Sequence, residues 1–265
     1  MTKVALTGAG GQIGKVLRTE LLKRGVNLRS VGGRTPLTPS VEGEDVCNGD
    51  LRDPAVVDRA LEGVDVCIHL AGTSVEKPLP EITENNLKGL YELYQGARRH
   101  KVKRMVFASS NHAFGMYSVN EKLDHGAAFR PDGFYGLSKA WGEAMTRMYW
   151  DKHGIEGISI RIGSCLPKPA EYRHLSTWLG HKDYFHLIDR CINATDVDYV
   201  DVWGISRNTR RYWNFGENEK RIGYDPKQDA EVYAAEIMKL PNPLDATAQT
   251  FQGGGFVTID YSRKN

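Results

Sequence analysis

A short apolar run, Val4-Ala5-Leu6, breaks directly into Thr7-Gly8-Ala9-Gly10-Gly11-Gln12-Ile13-Gly14, after which Ile13, Val16, Leu17, Leu21 and Leu22 recur at helical spacing. A strand, a glycine turn and a helix in immediate succession predict a β-turn-α unit, the usual start of a parallel sheet covered by helices. Glycines at 8, 11 and 14 let the backbone turn sharply and come close to a pyrophosphate, which would rest against the helix N-terminus. A glycine turn without a ligand is the plain alternative. Its placement between strand and helix favours the dinucleotide.

The alternation continues along the chain. Leu28–Val31 reads as a second strand, and Asp53-Pro54 starts a helix to Leu61, because an Asp N-cap and a proline in the first turn both fit there. Strands follow at Val64–Leu70, Arg104–Ala108 and Gly157–Ile162, where the series is expected to close. Between them lie a helix over 80–100, with Leu87, Leu90, Leu93 and Tyr94 on one stripe, and another over 135–152. This predicts an α/β fold, a doubly wound parallel (Rossmann-type) sheet, with ligands at the C-terminal strand ends. Residues 1–165 are read as the dinucleotide-binding core. Residues 166–265, with Pro167, Pro169 and scattered short elements, are read as a small substrate-capping region packed on the same domain. Phe251-Gln252-Gly253-Gly254-Gly255-Phe256 is a glycine turn that sequence does not place.

A carboxylate at the end of the second strand would bind the ribose hydroxyls of NAD and repel a 2′-phosphate. Here the segment is Val31-Gly32-Gly33-Arg34-Thr35, with a guanidinium and no acid. Arg34 either grips a 2′-phosphate, which tilts the cofactor from NAD towards NADP, or points into water. Asp50-Leu51 ends the next segment, where an Asp commonly meets adenine in such folds. Tyr135 and Lys139 stand four apart at a helix start, on one face. A nearby ammonium favours phenolate, so this spacing predicts Tyr135 as a base for an alcohol proton, its pKa brought towards neutrality. Ser109-Ser110-Asn111-His112 follows the strand before that helix.

These motifs, with His69-Leu70-Ala71-Gly72 and Asn86-Leu87-Lys88-Gly89, resemble the extended form of the short-chain dehydrogenase/reductase superfamily. More narrowly, Ser74-Val75-Glu76-Lys77-Pro78, Phe107 to His112, Arg161 to Cys165, Tyr172-Arg173, Leu175 to Trp178, Val202-Trp203-Gly204 and Phe251 to Gly254 are similar to the uronate dehydrogenases. The resemblance implies oxidation of a hexuronate such as D-galacturonate or D-glucuronate at C1 to an aldarolactone. In that reading Tyr135 is the base, Lys139 holds the ribose hydroxyls, and Arg173 clamps the sugar carboxylate. Ser74, Ser110, Asn111, His112 and Ser164 serve the hydroxyls, and either Ser110 or Asn111 polarises the reacting one. The cofactor contacts implied are Gly8, Gly11, Gln12, Ile13, Gly14, Gly33, Arg34, Asp50, Leu51, Leu70, Ala71, Tyr135, Lys139 and Cys165. Relatives carry an Asp at the second-strand end and use NAD, which Gly32-Gly33-Arg34 lacks, so NAD and NADP both stay open. A homo-oligomer is a further expectation from the resemblance.

Plainer readings bound the rest. Lys and Arg number 35 against 33 Asp and Glu, a formal net charge of +2, which marks no dedicated nucleic-acid or membrane binder. The cluster Arg98 to Arg104 closes a helix, where cations complement the dipole. Cys47, Cys67, Cys165 and Cys191 lie far apart, suggesting neither a metal site nor disulfides, and together with a start at Met1-Thr2-Lys3 lacking any long apolar run they predict a cytoplasmic enzyme without membrane attachment. His112 is a catalytic group or a substrate contact. Trp203 and Trp213 wall the sugar pocket or pack the cap, and Cys165 approaches the nicotinamide or is core. Two rival functions share the fold: a nucleotide-sugar epimerase or dehydratase, and a dinucleotide-sensing regulator without turnover.

Overall fold

The computed structural model describes residues 2–263. From the N-terminus, β1 (Lys3–Thr7), α1 (Gln12–Lys23), β2 (Asn27–Gly32), β3 (Asp45–Asn48), α2 (Pro54–Leu61) and β4 (Val66–His69) build one side of a sheet. Next come α3 (Leu79–Ile82), a π-helical turn (Thr83–Lys88), α4 (Gly89–Arg99), β5 (Arg104–Ser110), α5 (Phe134–His153) and β6 (Glu156–Ile162). All pairings are parallel, in the order β3-β2-β1-β4-β5-β6 and then one more strand, β9 (Tyr199–Gly204). Apolar side chains of β1, β4, β5 and β6 pack against α1 on one face and against α2, α4 and α5 on the other, giving two core clusters. Burial on both faces is why these strands read as continuous apolar runs.

The sequence reading is corrected at three places. The strand series does not close at Ile162: β7 (Ser164–Leu166), α6 (His174–Thr177) and β8 (Trp178–Gly180) are followed by α7 (His181–Asn193), which returns the chain to β9 on the sheet edge. The large sheet therefore crosses the division drawn at residue 165, and residues 166–265 are part sheet and part cover. β3 lies at the opposite edge, only half buried. Its sequence, Asp45-Val46-Cys47-Asn48, offers no apolar face because little of it faces the core. The helix expected over 80–100 contains the π-helical turn, which shifts the inward face so that Asn86 is buried while Leu87 is half exposed. Asn86 then bonds Thr73 N, Thr73 O and Ser138 Oγ, at 2.7, 3.0 and 3.0 Å, tying the loop after β4 to α5.

The remaining elements are α8 (Glu217–Ile222), α9 (Ala234–Ile237) and α10 (Ala246–Thr250), with a 3-10 turn at Gly254–Thr258. Trp203 and Trp213 stack with ring centroids 5.1 Å apart and are fully buried beside Phe114, so they pack the cover rather than wall a pocket. Much of the basic cluster is engaged within the fold: Arg99 and His100 contact Asp58, Lys103 pairs with Asp65 and Arg104 with Glu156, while Arg98 and Lys101 are exposed.

Candidate active site

Two adjoining clefts, of about 430 and 440 Å³, open at the C-terminal ends of the strands and share the glycine turn. The first is lined by Gly8, Gly11, Gly33, Arg34, Asp50, Leu51, Leu70 and Ala71. The second is lined by Gln12, Ile13, Gly14, Ser74, Ser110, Asn111, His112, Tyr135, Lys139, Ser164, Cys165 and Arg173. Every cofactor and substrate contact that the resemblance implies thus lies on one cleft or the other, while Trp203 and Trp213 do not.

The glycine turn fits a dinucleotide. Gly8 has φ +69°, and a Cβ there would come within 2.7 Å of Ala71 N. The N-terminus of α1 has no side-chain cap and no acid in its first turn, so its free amides and partial positive charge face the cleft. At the far end, Gly33 has open space around it, while Asp50 pairs with Arg52. His69 bonds Thr7 at 2.8 Å, and burial holds its pKa down to about 3, so it lines the cleft uncharged.

In the second cleft, Tyr135 and Lys139 occupy the first turns of α5. That helix has no side-chain cap of its own, since Gly133 stands at its N-cap. Glu76, from the loop after β4, caps it instead, accepting from Phe134 N and Tyr135 N at 2.8 Å each. Lys139 Nζ lies 5.5 Å from the Tyr135 ring centroid and donates to Ala108 O at 2.7 Å. The expected drop in the phenol's pKa is not what this arrangement gives. Burial pushes Tyr135 up to about 12, opposed by a hydrogen bond with the Ser110 side chain, and burial pushes Lys139 down to about 8. The ammonium bonds a carbonyl and not the phenol, and desolvation outweighs the Ser110 hydrogen bond.

Arg173 immediately precedes α6. Its Nε donates to Gln252 O at 2.8 Å. The carboxamide of Asn111 is satisfied in the orientation where Nδ2 donates to Ile162 O at 3.0 Å and Oδ1 accepts from Arg173 Nη2 at 2.6 Å. No carboxylate lies within ion-pair distance of Arg173 among the described residues, and burial lowers its pKa. With both ends of its amide committed, Asn111 braces the guanidinium, whereas Ser110 meets the phenol. Ser164 Oγ pairs with Thr177 Oγ1 at 2.8 Å. Cys165 belongs to the main core cluster as well as the cleft wall, and burial raises its thiol to about 12, which keeps it protonated and inert.

The C-terminal glycine turn, unplaced by sequence, closes this cleft. Besides the Gln252 carbonyl, it supplies Gly254 at φ +63°, where a Cβ would press on Arg173 Cδ at 2.6 Å, and Phe256, stacked on His112 at 4.0 Å. Glu76, Asp132, Thr177, Gln252 and Phe256 were not singled out as site residues. The quoted motifs containing Glu76, Thr177 and Gln252 were the available signal, but they carried no spatial information.

Comparison with known proteins agrees with this geometry. The profile of the NAD dependent epimerase/dehydratase family matches residues 4–213. Uronate dehydrogenase of Pseudomonas syringae pv. tomato is 42% identical over 257 residues, 96% of this chain and 93% of that protein. The crystal structure of uronate dehydrogenase from Agrobacterium tumefaciens superposes with a TM-score of 0.91 at 41% identity, covering 97% of each chain. The chain belongs to the uronate dehydrogenase family. A mutant of the Agrobacterium uronate dehydrogenase has been solved in complex with NAD, again at a TM-score of 0.91. UDP-galactose 4-epimerase, at a TM-score of 0.71 and 16% identity, shares the fold alone. As in the wider family of which the uronate dehydrogenases are part, the glycine turn and the parallel sheet form an NAD(P)-binding Rossmann fold.

Proposed function

We propose that the protein oxidises C1 of a cyclic hexuronate, D-galacturonate or D-glucuronate, to the aldarolactone, with NAD(P) as hydride acceptor. The observation that carries this reading is Arg173: a half-buried guanidinium with no acid partner among the described residues, in the same cleft as Tyr135 and Ser110. A half-buried cation held by a carbonyl and a carboxamide, and facing a cleft, is suited to an anion from outside. A uronate carboxylate meets that need, and a neutral sugar does not.

With the carboxylate on Arg173, Tyr135 takes the proton of the C1 hydroxyl while the C1 hydride leaves and the C1–O bond becomes the lactone carbonyl. Ser110 donates to the reacting oxygens and lowers the phenol's affinity for its proton. Lys139 holds the ribose and adds positive charge near Tyr135. Asn111 keeps Arg173 in place, while Ser74, His112 and Ser164 receive the sugar hydroxyls. The nicotinamide, when bound, supplies the hydride acceptor. Gly8, Gly11, Gln12, Ile13 and Gly14 would hold the pyrophosphate, with Leu70, Ala71 and Cys165 along the wall.

The absence of an acid at the end of β2 and an Arg34 on the cleft lining that makes no ion pair among the described residues support NADP over NAD. Exposed Tyr91 on α4 and Leu137 and Met148 on α5 support pairing of two copies through these helices. No helix among the described residues is long and apolar enough to cross a membrane, and the four free cysteines support a cytoplasmic setting.

The test is absorbance of the reduced nicotinamide with each hexuronate and each cofactor. Turnover with galacturonate or glucuronate is expected, and silence with both sugars and both cofactors would remove the reading. Arg34→Ala is expected to raise KM for NADP about tenfold and leave that for NAD nearly unchanged. Equal changes would show that Arg34 plays no part in the choice.

A further inference from the structure

His112, on the cleft, is paired with a buried acid, Asp132, that the reading above leaves without a purpose. His112 Nδ1 lies 2.6 Å from Asp132 Oδ2, and the Asp132 side chain is fully buried. This is the only side-chain hydrogen bond Asp132 makes among the described residues, and its Oδ1 has no partner at all. The carboxylate also sits where Gly115 and Gly253 come together, and a Cβ at either would overlap it. Two glycines from distant segments thus leave room for an acid whose one contact is an imidazole. A buried acid with no task would cost stability.

The ring is fixed on its other sides. Phe256 stacks on it at 4.0 Å with the planes 19° apart, and Tyr135 meets it edge-on at 5.7 Å. The charged groups around it are Asp132, Arg173 and Glu76. Burial and Arg173 push the ring towards neutral, while Asp132 and Glu76 oppose them, and the balance lies below the ordinary histidine value. A neutral ring has one donor nitrogen and one acceptor. With Nδ1 facing a carboxylate, the proton must stand on Nδ1, and Nε2, which has no protein partner among the described residues, is left as the acceptor in a residue that lines the cleft.

We propose that Asp132 is a positioning residue: it holds His112 in the tautomer protonated at Nδ1, so that Nε2 accepts a hydrogen bond from a hydroxyl of the substrate. The kinetic part of this inference rests on the hexuronate reading; the tautomer does not. An imidazole free of Asp132 would also populate the opposite tautomer, present N–H to the sugar hydroxyl, and lose the acceptor.

Nitrogen-15 NMR of the ring decides the first part. His112 is expected to carry its proton on Nδ1 near neutral pH, and a proton on Nε2 would overturn the proposal. In Asp132→Asn the ring should titrate at lower pH than in the parent, because the opposing negative charge is gone, and an unchanged titration overturns it equally. Should Asp132→Asn not fold, the tautomer in the parent still decides. Kinetics on galacturonate test the purpose. Asp132→Asn is expected to lower kcat/KM about tenfold, with the acid limb of its pH profile moved down. In a His112→Ala background the same substitution should change kcat/KM by less than about twofold. Full additivity of the two substitutions would show that Asp132 acts on the loop and not through His112. A parent protein inactive on every hexuronate defeats the proposed function and leaves the NMR result to judge the tautomer.

Discussion

Arg161 in β6 is a buried guanidinium and Arg173 before α6 a half-buried one on the cleft wall, and their partners differ in kind. Arg161 is enclosed by acids, with Nη2 on Glu143 at 2.9 Å and Nη1 on Asp201 at 2.7 Å. Those acids are engaged in turn: Ser109 donates to Glu143 at 2.5 Å, and His125 bridges Asp201 and Glu219 at 2.8 and 2.9 Å. Glu219 accepts from Trp203 N and Gly216 N. Arg161 also lies 4.4 Å over Phe114 and 5.0 Å over Trp203. Arg173 has a carbonyl and a carboxamide, and no acid. The first network is complete without a ligand and joins β5, α5, β6, β9 and α8. The second is incomplete, and a ligand's negative charge completes it. Burial alone says nothing about function; the partner that is lacking does.

The comparison predicts opposite consequences for matched substitutions. Arg161→Met strands Glu143 in the interior, Asp201 keeping His125 as a partner, and an uncompensated buried charge of this kind costs about 3–5 kcal/mol. The urea midpoint should fall by the corresponding amount, and a fall too small to measure would mean that the acids are solvated after all. Arg173→Met strands no acid. It is expected to lower kcat/KM for hexuronates on the order of a hundredfold, since a charge partner of the substrate is lost, while the urea midpoint moves much less than in Arg161→Met. Similar stability losses in the two variants would erase the distinction.

The smallest effect is in pH. Burial works against the charged ring, but the hydrogen bonds His125 donates to Asp201 and Glu219 outweigh it and raise its pKa to about 9. A histidine whose folded pKa exceeds its unfolded value of about 6.5 stabilises fully below that value, and the gain is lost as pH rises through about 9. Thermal midpoints should therefore decline across that window. His125→Gln should flatten the decline, and an unaltered slope would assign it to other groups.

What the sequence made legible follows the distance between interacting residues. The glycine turn and the Tyr135–Lys139 pair were readable because each lies within one or two turns of chain, where spacing dictates geometry. The apolar strands β1, β4, β5 and β6 were readable for the same reason. β9 was hidden because Tyr199-Val200-Asp201-Val202-Trp203 carries a charge that only the Arg161 network explains. Asp132 reaches His112 across 20 residues and Gln252 reaches Arg173 across 79, and no local period encodes either contact. Arg161 and Arg173 look alike in the sequence because nothing in it says which one folding will surround with acids.

The brace that Gln252 and Phe256 place on Arg173 and His112 also has a consequence in time. During synthesis Arg173 and His112 leave the ribosome well before Gln252 and Phe256, so for that interval a nascent chain carries its nucleotide turn and its sugar-reading side chains without the support that aims them. A polypeptide cut between Arg173 and Gln252 would keep the first and lose its grip on acid sugars.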